Sequence, residues 1–346
     1  MTLALAHSSW INAWTLRRAC AGLDVDLRVP AGVRQLPLPV MPPQARAEWQ
    51  FFTEEASLRR ALDGELDGRF LPERFPIALL DDKWAFADFL AQDATGPQGL
   101  AQWPLDEPAG VRFPLLLKGR HSWVGDRKLP RGWVCRSACE LARWRSHLRV
   151  QGMQESWFFL QEWLGDNALQ LLSVGGFFDA DDESRNLAVV TLRVADYGDD
   201  GPSSSAALAT IADSHGLIPA AEHVLRRLRY RGPYEFEFII AGSRRLALEL
   251  NPRFWMQHGL FVAAGNGLVK RYLGRETAED RAAPPPQKLL WIDGSWLMRR
   301  LLRLDMQVIA LWRTWVRQSG YRAVVCPTPM QVLGAGLWLA LGGGRR

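Results

Sequence analysis

Tyr234-Glu-Phe-Glu-Phe238 and Leu248-Glu-Leu-Asn-Pro-Arg253 are the two stretches from which the rest of the chain is read. In an extended strand alternate side chains share a face, so Glu235 and Glu237 point one way while Tyr234, Phe236 and Phe238 point the other. The same alternation puts Glu249 and Asn251 on one face and Leu248 and Leu250 on the core side. A short turn around Ala241-Gly-Ser243 lets the two strands pair antiparallel, which brings Glu237, Glu249 and Asn251 together. Carboxylates that close repel unless a cation lies between them. Few, hard oxygen ligands suit magnesium shared with phosphate oxygens, and manganese is the alternative ion. The competing reading is an ordinary strand face with solvated carboxylates.

Phosphates need positive charge, and the chain rations one kind of it. Only five of its 42 Lys and Arg residues are lysines: Lys83, Lys118, Lys128, Lys270 and Lys288. Lys118 ends an apolar run over 113–118, a charged end on a strand that otherwise reads as buried. Lys128 follows in a loop, and Arg193 and Arg253 offer forked contacts. No Gly-x-x-x-x-Gly-Lys-Ser/Thr pattern occurs, and Gly265-Asn-Gly267 lacks its third glycine, which disfavours phosphate-loop and dinucleotide folds.

The 346 residues suffice for one large or two to three small domains. Residues 3–6, a helical pattern over 10–20 and the run 25–29 read as the opening of a βαβ unit, followed by helices over 51–66 and 81–90. Residues 1–95 thus form a small α/β domain. Strands over 113–118, 157–163, 169–178, 187–194, 234–240 and 245–250, with helices over 137–148 and 220–228, give an α+β domain of hairpins over 96–275. The segment 196–205, rich in Asp, Gly and Ser, reads as a mobile loop. From 276 a Pro-rich linker leads into Trp- and Arg-rich helices, a helical C-terminal appendage over 276–346. The apolar stretch 332–341 is too short to span a bilayer, leaving peripheral membrane contact or packing on the body as its uses.

The formal charge of +5 is spread along the chain, so no nucleic acid partner is expected. Residues 1–7 lack a basic region followed by a long apolar run, and the four scattered cysteines suit reduced thiols, so a cytoplasmic location is expected. Cys135 and Cys139 have the spacing of one helix face, without a second pair to complete a zinc site.

Taken together, these motifs resemble the ATP-grasp superfamily, in the branch of carbamoyl phosphate synthase-like and carboxylate-amine ligase ATP domains. The resemblance rests on Pro114-Leu-Leu-Leu-Lys118, on Lys128 in a glycine-containing loop, and on Gln161-Glu-Trp-Leu-Gly165 as the hinge strand. Its most specific part is Glu237, then eleven residues, then Glu249-x-Asn251-Pro-Arg253; Asp82-Lys83 matches a helix start ahead of the ATP domain. It implies two α+β subdomains clasping ATP, with a hinge at 161–165. Gln161, Glu162, Trp163 and Leu164 would flank adenine, Asp166 or Asn167 the ribose, and Lys118 and Lys128 the phosphates. Glu237, Glu249 and Asn251 would hold one or two magnesium ions. Arg253, helped by Arg193, would stabilise the transferred phosphoryl group.

The implied activity is an ATP-dependent carboxylate-amine ligase acting through an acyl phosphate and releasing ADP and phosphate, on small-molecule substrates. Two alternatives stand: a degenerate ATP-binding regulatory or scaffold protein, and phosphoryl transfer to a small metabolite. The sequence departs from the family pattern where a basic pair is reduced to Arg193-Val194 and where Asp199-Asp200 makes the loop acidic. His258 is expected as a general base or a structural histidine, Lys83 as a packing residue, and the role of Glu235 is left open.

Overall fold

The computed structural model describes residues 1–5, 10–29, 38–42, 46–72, 74–106, 110–125, 127–130, 132–165, 169–197, 205–328 and 330. Its first unit follows from an apolar run too short for a helix. Thr2–Leu5 is a strand whose Leu3, Ala4 and Leu5 are all buried, as a parallel strand covered on both faces requires. The helix Trp10–Ala19 carries the chain back to a parallel partner, Asp26–Arg28, completing the expected βαβ unit. A third parallel strand, Trp49–Phe51, pairs on the other side. Because Phe51 ends that strand, the helix expected from 51 begins only at Glu55 and runs to Leu62. A further helix, Arg74–Asp81, precedes the second expected one. The next, Lys83–Ala91, starts two residues later than expected because Asp82 caps it, its Oδ1 accepting from Trp84 N (3.0 Å) and Ala85 N (3.2 Å).

A small antiparallel sheet follows, ordered Gln102–Pro104, Phe158–Glu162, Leu115–Gly119, Trp133–Cys135. The helix Ala138–Val150 covers it, with Leu115, Leu117, Leu160, Leu141 and Leu148 forming their own core. Cys135 is buried in the strand and Cys139 exposed on the helix, so the two do not share a helix face.

The large sheet has eight strands. From one edge they are Arg322–Cys326, Leu289–Asp293, Ser205–Ile211, Leu187–Asp196, Leu169–Asp179, Arg231–Ala241, Arg244–Asn251 and Gln98–Gly99. One face is wholly apolar: Leu172, Val174, Phe236, Phe238 and Leu250 pack under the helix Leu217–Arg227 and under Phe86 and Leu90. The opposite face is divided. At one end Phe177, Leu187, Val189 and Trp291 pack on the N-terminal unit, and at the other Leu171, Ile239 and Leu246 meet Leu100 and Leu164. Between these apolar zones the same alternation places Glu235, Glu237, Glu249, Asn251 and Arg193.

Two expectations change. The segment from 276 supplies helices, as expected, but it also supplies two strands, because Leu290 and Ile292 are buried against Ala207 and Ala209. It therefore extends the large sheet instead of standing apart as a helical appendage. The strand Ser205–Ile211 itself lay beyond a segment read as loop, its Ala-rich run giving little strand signal. Asp166, Asn167, Asp199, Asp200 and the stretch 332–341 lie outside the described residues.

The two sheets exchange the chain at adjacent points. Residues 100–101 lead from Gly99 in the large sheet to Gln102 in the small one, and the chain returns after Glu162; there Glu162 N donates to Ala101 O at 2.8 Å. At the far side of the small lobe, Arg120 is held by Asp82 (3.2 and 2.5 Å) and Lys83 N donates to Arg120 O at 2.8 Å.

One glycine sets the spacing of the divided face. A Cβ on Gly175 would sit 2.5 Å from Trp255 Cζ2, so its absence lets the buried indole lie flat on the sheet beside the polar zone. Gly175→Ala should therefore lower stability by about 1–3 kcal/mol through overpacking, read by urea unfolding. A wild-type midpoint would show that the indole is not held there.

Candidate nucleotide and metal site

Strand pairing sets the geometry before any side chain is considered. Glu237 lies directly opposite Glu249, and Glu235 opposite Asn251. A bulge after Glu237 lets Phe238 pair with Ala247, skipping Leu248, which joins the apolar patch at the hinge. Asn251 Nδ2 donates to Glu235 Oε2 at 3.3 Å, so Glu235, whose role the sequence left open, positions the amide. Burial, then Glu249, pushes the Glu237 carboxyl up to about 7; burial, then Glu237, pushes Glu235 up to about 8. The polar strip thus holds carboxylates that resist ionising together, the condition a cation relieves. Among the described residues no group of three or more His, Cys, Asp or Glu side chains forms a metal cluster. Two carboxylates and an amide fit an ion that takes its remaining ligands from phosphate oxygens.

The small sheet answers with Lys118. It sits next to last in the strand Leu115–Gly119, nearly buried, and Glu249 and Glu237 across the gap pull on its ammonium. Burial outweighs them and lowers its pKa below the usual lysine range. Arg193 and Arg253 also act on the carboxylates. Arg193 Nε donates to Ser205 Oγ at 3.0 Å. Lys128 is placed differently: it is exposed in the hairpin Trp123–Val124/Arg127–Lys128, its Nζ 6.0 Å from the centre of the Trp123 ring.

Arg253 is the most heavily committed residue of the set. Nε and Nη2 donate to Glu55 Oε1, Nη2 also to Asn251 Oδ1 (3.3 Å), and Nη1 to Thr53 O (3.2 Å) and Phe254 O (3.1 Å). These contacts match its five N–H donors. In this arrangement Arg253 braces Asn251 against the N-terminal unit. Burial alone would raise the Glu55 carboxyl, but Arg253 holds it down at about 2.

At the hinge, Gln161 is buried with its Oε1 unpartnered. The Glu162 carboxylate is held by Arg244 at 2.8 and 3.1 Å, which keeps its pKa low. Leu164 packs beside Leu100, Ile239 and Leu246, and Trp163 next to it is half-buried. The hinge therefore presents an apolar surface bordered by a buried amide.

Three contributors escaped the sequence reading. A cavity of about 200 Å³ joins Glu249 and Asn251 to Glu55, Lys83, Asp81 and His121. His121 Nδ1 lies 2.9 Å from Asp81 Oδ2, and Arg59 pairs with the same carboxylate. Lys83 Nζ donates to Ser122 Oγ at 3.3 Å and acts on both Lys118 and Glu55, so it faces the site as well as packing. The scarcity of lysine was a signal for Lys83. Nothing in the pattern marked Glu55 or His121, which arrive from separate elements. His258 is fully buried between Phe51 and Phe254, its Nδ1 on Trp255 O at 2.6 Å, and burial pushes its pKa down to about 4. It is a structural histidine.

No family model and no curated protein matches the sequence. Solved structures do match the fold. A pyruvate carboxylase from Rhizobium etli aligns with a TM-score of 0.61 and 13% identity over 83% of this chain, which spans only 30% of that longer chain. The biotin carboxylase domain of 2-oxoglutarate carboxylase from Hydrogenobacter thermophilus gives 0.58 and 13% over 82% of this chain and 70% of its own. An L-amino acid ligase from Bacillus licheniformis gives 0.56 and 10% over 82% and 77%. The chain has an ATP-grasp fold. The two sheets described above are the lobes of that ATP-grasp core, and the carboxylate strip faces the cleft between them.

The shifted carboxyls give the ATP-grasp core a defined pH response. A carboxyl with a higher pKa folded than unfolded stabilises fully below its unfolded value, near 4.5, and that stabilisation is lost progressively from there until pH has passed about 7 for Glu237 and about 8 for Glu235. His258 works from the other side: its folded pKa of about 4 lies below 6.5, so stability is lost as pH falls across that window. Without metal, stability should decline from near pH 5 to pH 8, with His258 offsetting part of the loss below pH 6.5. Glu237→Gln should flatten the alkaline limb in thermal melts; an unchanged limb would place the titration elsewhere.

Proposed function

We propose that the chain is an ATP-dependent ligase that joins a small-molecule carboxylate to an amine through an acyl phosphate, releasing ADP and phosphate. The observation that carries this reading is the opposition of buried Lys118, on the small sheet, to the Glu237–Glu249 pair on the large one. A cation and a carboxylate pair facing across a cleft suit a nucleotide triphosphate with its metal ion. Among the structural neighbours, the Hydrogenobacter biotin carboxylase domain was solved with MgADP and bicarbonate, and another neighbour is an amino acid ligase.

In this reading Glu237, Glu249 and Asn251 would hold magnesium, which would neutralise phosphate charge. Lys118 binds a phosphate, and the Leu164, Ile239 and Leu246 patch takes the base. Glu235 and Arg253 keep Asn251 in place. The substrate carboxylate oxygen takes the terminal phosphoryl group. The amine then attacks the carbonyl carbon, and phosphate leaves with the electron pair of the broken C–O bond. The proton lost by the amine needs an acceptor. His121, oriented through Nδ1 by Asp81 and lining the same cavity as Glu249, offers Nε2.

ADP release should depend on one class of carboxylate in a screen of amino acids and other acids with product masses recorded, and Glu249→Gln should reduce it at least ~100-fold. Nucleotide that raises the melting temperature without ADP release from any acid would instead favour a regulatory nucleotide-binding module, and a phosphorylated product without ligation a phosphotransferase. With the cognate pair in hand, His121→Gln should slow amide formation about 100-fold and leave nucleotide affinity unchanged. Equal rates would remove His121 from the proton transfer.

A further inference from the structure

The C-terminal helices bury one apolar face and leave a second one uncovered. Trp296, Val308 and Leu311 pack on the strands Ser205–Ile211 and Leu289–Asp293 and account for the anchoring of the hairpin. On its outer side Leu302 is 79% exposed, Leu304 86% and Met306 68%, joined by Leu301, Ile309 and Trp312. Six of the nine large apolar side chains left exposed among the described residues therefore fall between 301 and 312. Soluble surfaces scatter such residues singly, and a cluster marks a surface that meets something apolar.

The charge around the cluster has one sign. Between 294 and 321 the sequence contains five arginines and a single acid, Asp305, which pairs with Arg300 at 2.6 Å. Arg299, Arg303, Arg313 and Arg317 are exposed. Among the described residues none of Arg303, Arg313 and Arg317 forms an ion pair. The helix Gly294–Leu302 turns back at Leu304, in the left-handed region (φ 53°), into Met306–Leu311 and the π-helical turn Trp312–Arg317. The bend puts Leu302, Leu304 and Met306 at its tip, with arginines on both arms.

We propose that this bend docks on an anionic lipid surface, with Leu302, Leu304 and Met306 entering the headgroup boundary and the arginines lying over lipid phosphates. A short apolar tip ringed by arginine is the composition of an interfacial anchor. The charge selects anionic lipid over a second copy of this chain, whose own bend would bring like charges together. No helix among the described residues is long and apolar enough to cross a bilayer, so the contact is peripheral.

Full-length protein should co-sediment with vesicles of 70:30 phosphatidylcholine and phosphatidylglycerol at 0.1 M NaCl, about tenfold less with pure phosphatidylcholine, and about tenfold less at 0.5 M NaCl. Leu302→Glu/Leu304→Glu/Met306→Glu should abolish sedimentation with an unchanged melting temperature, since all three side chains are exposed. Arg303→Glu/Arg313→Glu/Arg317→Glu should abolish the preference for the anionic vesicles. Failure of the wild type to sediment overturns the proposal, as does undiminished binding by either variant. Light scattering that shows a dimer, reduced to monomer by the apolar variant, together with no vesicle binding, would assign the patch to a second copy instead.

Discussion

Two carboxylates are held opposite each other on paired strands, and the surrounding structure answers the repulsion this creates. Burial, and then Glu249 on the facing strand, push the Glu237 carboxyl up, so every neighbouring cation has a defined task. Lys118 reaches the two carboxylates from another sheet, Arg193 from the far side of the intervening strand Leu169–Asp179, and Arg253 from just beyond the end of the strand that carries Glu249. Without these partners the strip would have to carry protonated acids or a different sequence. With them it is a preorganised place for a cation and phosphates.

The N-terminal unit enters this balance through Arg253. Its guanidinium is tied to Glu55 and to the carbonyl of Thr53, both belonging to the segment that follows the third parallel strand. The aromatic stack behind it, Phe51 on Phe254 at 3.9 Å, fixes the two segments against each other. The N-terminal unit is thus a wall of the cavity that also contains Glu249.

The legible part of the molecule was the part encoded by short periods. Alternation placed Glu235, Glu237, Glu249 and Asn251 on one face, and the apolar run ending in a lysine gave the strand of Lys118. Long-range pairings were not legible. Leu289–Asp293 and Arg322–Cys326 join a sheet whose other strands lie as far back in the chain as Gln98–Gly99, and a Trp- and Arg-rich stretch carries no alternation to announce it. His121 and Glu55 were invisible for a similar reason, since their positions depend on how three separate elements meet. Arg253 was found but its partners were not, because a motif specifies a residue and not what consumes its donors.

The way the chain passes between the two lobes restricts how the cleft can change width. Both crossings, at 100–101 and after Glu162, lie side by side and are hydrogen-bonded to each other, while the opposite side of the small lobe is held by polar contacts: Arg120 on Asp82, the Lys83 amide on Arg120 O, Lys83 on Ser122, His121 on Asp81 and Arg59 on Trp123 O. A body attached along one edge swings instead of sliding. A swing about this edge would carry Lys118 towards or away from the carboxylates in an arc and would part the polar contacts on the free edge. Among these the Arg120–Asp82 pair is partly solvent-exposed and therefore cheap to release. In the proposed reaction, admission of a nucleotide and the assembly of charge around its phosphates would then be one rotation about one axis.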